Sequence, residues 1–115
     1  MQEPVDHIQY RGRFAPSPTG PLHFGSLISA IGSYLDAKHQ NGKWLVRIED
    51  IDTPRTVKGA TREILSTLEA YGLHWDEHIV YQSRRTSAYE AAFQQLKYAG
   101  VVYPCACSRK EKVGS

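Results

Sequence analysis

The 115-residue sequence predicts an α/β fold: a parallel βαβ unit followed by further helices. Three observations carry that reading. A short strand-like run, Tyr10 to Ala15, ends at Pro16. From Leu22 to Gln40 the apolar residues Phe24, Leu27, Ile28, Ile31 and Leu35 recur at helical spacing. Lys43 to Glu49 then reads as a second strand. A strand, a crossover helix and a strand make a parallel pair. Ligands on such sheets sit beyond the carboxyl ends of the strands, here Ala15-Pro16-Ser17 and Glu49-Asp50.

Taken in order, residues 1–9 are a polar lead-in. The first strand breaks into Pro16 to Gly25, where three prolines and two glycines within ten residues fix an unusual backbone path. The helix that follows is rich in small residues, Ser26, Ser29, Gly32 and Ser33, which let another backbone or a nucleotide come close, and Asn41-Gly42 stops it. The second strand runs into Glu49, Asp50 and Asp52, closed by the turn Thr53-Pro54-Arg55. Val57 to Tyr71 carries Val57, Ala60, Ile64, Leu65, Leu68 and Tyr71, the pattern of a second amphipathic helix ended by Gly72. Leu73 to Arg85 reads as irregular, with Trp75, Ile79, Val80 and Tyr81 as packing anchors. Tyr89, Ala92, Phe93, Leu96 and Ala99 mark a third helix, and Val101-Val102-Tyr103 leads into Pro104-Cys105-Ala106-Cys107.

Composition narrows the class. With 41% hydrophobic and 23% charged residues the chain suits one small globular domain. No apolar run approaches the ~20 residues of a membrane span, and Met1 to Asp6 lacks the basic and apolar parts of a signal peptide. A cytoplasmic location is therefore expected. A net charge of +2 permits a nucleic-acid partner without arguing for one. One residue separates the two cysteines, so a disulfide between them would be strained. Metal ligands and free thiols both remain open.

The candidate site follows from the loop. A rigid path from a strand into a helix start presents free N–H groups and the positive dipole end to an anion, and His23 and Ser26 add side-chain donors there. Arg13 either pairs with a surface acid or grips a carboxylate through two parallel hydrogen bonds. Glu49, at a strand end on the ligand side, suits an ammonium group. Asp50 and Asp52 are only a weak Mg²⁺ signal, and Arg84-Arg85 reads as an exposed basic pair or a phosphate contact. His7, His39, His74 and His78 receive no role.

Gly12 to Ser26, Gly-Arg-Phe-Ala-Pro-Ser-Pro-Thr-Gly-Pro-Leu-His-Phe-Gly-Ser, resembles the N-terminal signature of glutamate-activating class I aminoacyl-tRNA synthetases. Arg47 to Arg55, Arg-Ile-Glu-Asp-Ile-Asp-Thr-Pro-Arg, is similar to that family's second block. Pro21 to Leu27 and Gly32 to Ala37 are most similar to the glutamyl-Q tRNA(Asp) synthetases, shortened members that lack an anticodon-binding domain.

The resemblance implies the first half of a Rossmann-type class I catalytic domain at 1–100 and the start of a zinc-bearing insertion at 101–115. It implies ATP-dependent activation of glutamate as glutamyl-adenylate and transfer to the queuosine of tRNA(Asp). His23 and Gly25 would be catalytic. Arg13, Phe14, Ala15, Pro16, Ser17 and Glu49 would bind glutamate. Pro18, Thr19, Gly20, His23, Gly25 and Ser26 would bind ATP with its Mg²⁺. Cys105 and Cys107 would be two of four Zn²⁺ ligands. A monomer without membrane contact is expected. Because the sequence stops before the remaining zinc ligands and a later phosphate-gripping loop, it reads as an incomplete fragment with little activity alone. The rival readings are a piece of an ordinary glutamyl-tRNA synthetase, a non-catalytic nucleotide- or RNA-binding half-Rossmann module, and a poorly folded remnant.

Overall fold

The structure is a computed structural model that describes residues 8–110; most of the predicted lead-in and the last five residues lie outside it. Strand β1, Arg11–Phe14, pairs in parallel with β2, Lys43–Ile48, in a register running from Arg11 opposite Lys43 to Phe14 opposite Val46. Helix α1, Phe24–His39, makes the crossover, so the predicted βαβ unit is present. A third strand, β3, Val80–Tyr81, pairs in parallel with the other edge of β2, giving the order β1-β2-β3. This strand falls in the stretch read as irregular. Two residues carry no period of their own, and β3 exists because Arg47 and Ile48 offer it a ladder.

Alternation along the strands sorts the two faces of the sheet. Gly12 and Phe14 on β1, and Trp44, Val46 and Ile48 on β2, are buried on one face. Arg11 and Arg13, with Lys43, Leu45 and Arg47, lie on the other. Trp44 is fully buried, stacked with Phe14 at 6.2 Å between ring centroids and edge-on to Tyr34 at 5.4 Å. Helix α2, Ala60–Ala70, buries Ala60, Ile64 and Leu68. Fully burying an isoleucine or leucine side chain stabilises by about 1.5–3 kcal/mol. It starts three residues later than its apolar pattern suggests, because the Val57 N–H donates to the Pro18 carbonyl at 2.9 Å. That bond ties the segment before α2 to the proline loop.

Helix α1 follows its hydrophobic pattern only in part: Leu27 and Ile31 pack against the core. Its buried residues are Ala30 and Ala37, while Phe24, Ile28 and Leu35 are 79%, 53% and 59% exposed. Short side chains win this face because β1 comes very close. A Cβ on Gly12 would sit 3.3 Å from the Ala37 Cβ and 3.5 Å from the Ser33 carbonyl oxygen. The Trp44 indole N–H donates to Ser33 Oγ at 2.9 Å, joining helix and sheet by a polar contact. At the far end, Gly42 is required by contact: a Cβ there would meet the Tyr10 carbonyl group, which accepts from the Lys43 N–H at 2.8 Å.

The strand starts are fastened by Asp76 and Glu77. Asp76 exchanges two bonds with the Trp44 backbone, accepting from its N–H at 2.9 Å and donating to its carbonyl at 2.8 Å. Glu77 accepts two hydrogen bonds from the Arg11 guanidinium, at 2.8 and 3.1 Å, and lies 3.3 Å from Lys43 Nζ. The Arg11 and Lys43 bonds pull the Glu77 carboxyl down from 4.5 to about 2. A depressed carboxylate contributes stability above its ordinary pKa and loses it as pH falls toward the folded value. Glu77→Gln should therefore flatten the acid limb of the thermal midpoint between pH 4.5 and about 2. The group is exposed, so high salt should shrink the difference between the two proteins. Unfolding scans across that pH range check both expectations.

The chain divides into two compact units, the first ending at Arg84 and the second beginning at Arg85. The second contains helix α3, Thr86–Tyr98, which has no buried residue; Phe93 and Leu96 on its predicted apolar stripe are about half exposed.

Candidate functional site

The loop between β1 and α1 folds as a fixed cradle. The Pro16 carbonyl accepts from the Glu49 N–H at 2.9 Å, which joins the ends of the two strands. The Thr19 N–H donates to the Ser17 carbonyl at 2.8 Å, and Pro18 is buried. The loop then meets α1 at His23, the helix N-cap. His23 Nδ1 accepts from the Ser26 N–H at 3.1 Å, satisfying one of the helix's orphan donors. That role requires Nδ1 without a proton, so the ring hydrogen sits on Nε2, 2.9 Å from Ser26 Oγ. With Nε2–H donating to it, the Ser26 hydroxyl hydrogen is directed elsewhere.

Gly25 makes room for this arrangement. A Cβ there would stand 3.2 Å from His23 Cε1 and 3.3 Å from Nδ1, tight enough that the ring would have to shift by a few tenths of an ångström. No acidic side chain occupies the first turn of α1, so nothing in that turn neutralises the positive helix end. Lys38 and His39 complement the other end.

A cavity of about 350 Å³ opens at this helix end. Of the residues singled out in the sequence, Phe14, Ala15, Pro16, Ser17, Thr19, Gly20, His23 and Ser26 line it. Ser29, one helical turn beyond Ser26, also lines it and was read only as a small residue. Its spacing from Ser26 is the signal that would have found it. Pro18 and Gly25 act from behind, through the Val57 bond and the room left for His23.

Arg13 and Glu49 do not line this cavity. Arg13 lies on the sheet face away from Phe14 and Trp44. The Glu49 carboxylate lies 3.9 Å from the Arg47 guanidinium, whose residue shares that face. The structure thus brings Glu49 to the loop through its backbone.

The acidic run after β2 splits three ways. Glu49 faces Arg47, and Asp52 lies 3.4 Å from Arg55. Asp50 accepts from the Ser83 N–H at 2.8 Å and from Ser83 Oγ at 2.7 Å, which anchors the turn after β3. Burial pushes the Asp50 carboxyl up, but these bonds and nearby Arg84 outweigh it and hold the group below its ordinary range. The Asp50–Ser83 clamp was not visible in the sequence, since 33 positions separate its partners.

In the second unit Cys105 and Cys107 are exposed free thiols. Among the described residues no group of three or more His, Cys, Asp or Glu is placed to hold a metal ion. Two thiols are half of a structural zinc set, which takes four ligands, so the donors present do not complete that site. Metal analysis of the purified chain should find well under one tightly bound zinc per molecule; stoichiometric zinc that survives dialysis would contradict this.

The parallel sheet, the crossover helix and the capped helix end define the class: a Rossmann-like class I synthetase catalytic domain. The family model for tRNA synthetases class I (E and Q), catalytic domain, matches residues 9–113, and the chain belongs to that family. It is 66% identical over 102 residues to a glutamyl-Q tRNA(Asp) synthetase of Dechloromonas aromatica, covering 89% of this chain and 34% of that protein. A glutamyl-Q tRNA(Asp) synthetase of Burkholderia mallei is 63% identical over 103 residues, covering 90% of this chain and 35% of the relative. The chain thus spans about a third of the length of these curated relatives. Among solved structures, a glutamate tRNA ligase from Elizabethkingia meningosepticum, crystallised with its amino acid, superposes with a TM-score of 0.77 at 41% identity. That match covers 79% of this chain and 20% of the ligase. No helix among the described residues is long and apolar enough to cross a membrane.

Proposed function

We propose that this chain supplies the nucleotide-cradling half of an enzyme that activates glutamate with ATP and transfers it to the queuosine of tRNA(Asp). The observation that carries the reading is the His23-capped helix end, open to a cavity and free of acidic residues in its first turn. The names of the relatives supply glutamate and tRNA(Asp) as the substrates. Residues 1–100 would form half of the Rossmann-type domain, and 101–115 would open an insertion whose zinc site needs ligands beyond Cys105 and Cys107. A monomer working in the cytoplasm completes the proposal.

In the first step an oxygen of the glutamate α-carboxylate attacks the α-phosphorus of ATP. The bond to the bridging oxygen breaks, and pyrophosphate leaves with the electron pair. Negative charge on the phosphoryl oxygens grows along this path. The Ser26 hydroxyl hydrogen and the N–H groups of Phe24 and Gly25 would meet it, with His23 orienting the hydroxyl through its Nε2–H, and fixed donors of this kind lower the barrier without reorganising. Thr19 and Gly20 would flank the phosphates with Pro18 behind them, and Mg²⁺ would arrive with ATP. Phe14, Ala15, Pro16 and Ser17 would line the glutamate pocket. Arg13 would grip a glutamate carboxylate, and Glu49 would hold the ammonium group from the other face of the strand ends. Holding the two substrates in line supplies much of the rate.

The acceptor is tested with a chimera in which residues 9–113 replace the matching segment of the Dechloromonas aromatica relative. The chimera should transfer labelled glutamate to tRNA(Asp) that carries queuosine. Transfer instead to the 3′ end of a glutamate-accepting tRNA would favour an ordinary glutamyl-tRNA synthetase. The chain by itself should show little activation.

A further inference from the structure

A second cavity, of about 540 Å³, shares no residue with the one at His23. It lies against α2, which contributes Arg62, Leu65, Ser66 and Glu69, and against Trp75 and Tyr81 from the following segment. Leu65, Trp75 and Tyr81 pack partly against the core, so their inner sides are fixed while the cavity stays open to them. The Arg84 guanidinium lies 4.3 Å from the centre of the Tyr81 ring. It follows directly on Ser83, which Asp50 anchors. The cavity thus presents two aromatic side chains, the Arg62 guanidinium, the Glu69 carboxylate and the Thr61 and Ser66 hydroxyls, while Arg84 lies over a face of Tyr81.

We propose that this groove takes an unstacked base of single-stranded RNA, with the neighbouring phosphate at Arg62. A flat ring against Trp75, bordered by the Arg84-covered Tyr81, a cation for the phosphodiester and Glu69 as acceptor for an amino or imino N–H are the means by which splayed-out bases are held. Paired, stacked RNA does not offer such a ring. The inference rests on the reading that the chain acts on an RNA, yet it concerns residues that take no part in binding ATP or glutamate.

The two tryptophans make the test simple. Trp44 is wholly buried in the core, so a ligand-induced change in tryptophan emission reports Trp75. Titration of the chain with a single-stranded uridine or adenosine hexanucleotide should give saturable quenching, and a duplex of the same length should not. Arg62→Ala should weaken binding about tenfold, the scale of one lost cation contact at a stacked base. Ser66→Phe should block it by filling the groove. Both residues are exposed on α2, and circular dichroism would verify that each variant keeps its helices. ATP with glutamate should leave the titration unchanged, and so should His23→Ala, which separates this groove from the other cavity. No saturable quenching, equal quenching by duplex, indifference to both α2 variants, or loss of quenching on adding ATP and glutamate would each overturn the proposal.

Discussion

Trp44→Ala is expected to destabilise the first unit by about 3–5 kcal/mol, the cost of deleting a large aromatic side chain from a packed core. Trp44 is 0% exposed and sits where sheet and crossover helix meet. Its removal breaks the stack with Phe14 and the edge contact with Tyr34. It also takes away the indole N–H that bonds Ser33 Oγ. Small domains hold only about 5–15 kcal/mol in total, so the variant should sit near or beyond its unfolding midpoint at room temperature. Trp75→Ala should cost less, because Trp75 is only partly buried. Denaturant titrations followed by far-ultraviolet circular dichroism check the order. A Trp44→Ala midpoint indistinguishable from the parent's would mean that the core is centred elsewhere.

His23→Ala should lower glutamate-dependent pyrophosphate exchange by the chimera about 10²–10³-fold, the scale of one lost preorganised donor, because the Ser26 hydroxyl that the ring orients would no longer be fixed toward the developing charge. The same change removes a helix cap, worth about 0.5–2 kcal/mol. The two effects separate with His23→Ser, since serine is a good N-cap residue. That variant should regain the lost stability and leave exchange low. If His23→Ser recovered both, His23 would be a capping residue alone. Gly25→Val should copy the loss of exchange with the histidine still in place, because the added side chain would crowd His23 Cε1 and Nδ1.

The βαβ unit was legible because each part carries its own signal. Pro16 ends one strand, Asn41-Gly42 ends the helix, and the apolar alternation through Trp44, Val46 and Ile48 marks the second strand. The cradle was legible for a related reason: prolines and glycines constrain the backbone locally, and His23 caps the turn it belongs to. Three things were hidden, and each depends on a distant partner. Strand β3 is two residues long and takes its form from β2. The buried face of α1 was set by the close approach of Gly12 to Ala37, which favours Ala30 and Ala37 over Phe24, Ile28 and Leu35. Asp50 looked like one member of an acidic cluster, and its bonds to Ser83 gave it a structural task. Hydrophobic periodicity counts apolar residues and says nothing of how near two backbones come, so it grouped Leu27 and Ile31, which pack against the core, with Phe24, Ile28 and Leu35, which are exposed.

The face assignment of Arg13 and Glu49 gives the site its geometry. Both belong to strand ends that the Glu49–Pro16 backbone bond joins, yet their side chains fall outside the His23 cavity. ATP phosphates at the helix end and a glutamate across the strand ends would have to bring carboxylate and α-phosphorus together at the edge of Ala15 to Ser17. That stretch is the pivot of the account. ATP–pyrophosphate exchange by the chimera, with and without glutamate, tests it most directly. Exchange that requires glutamate and falls with Arg13→Ala, Glu49→Gln and His23→Ala alike is the expected result. A folded chimera that binds ATP yet exchanges no pyrophosphate when glutamate is added would contradict the account.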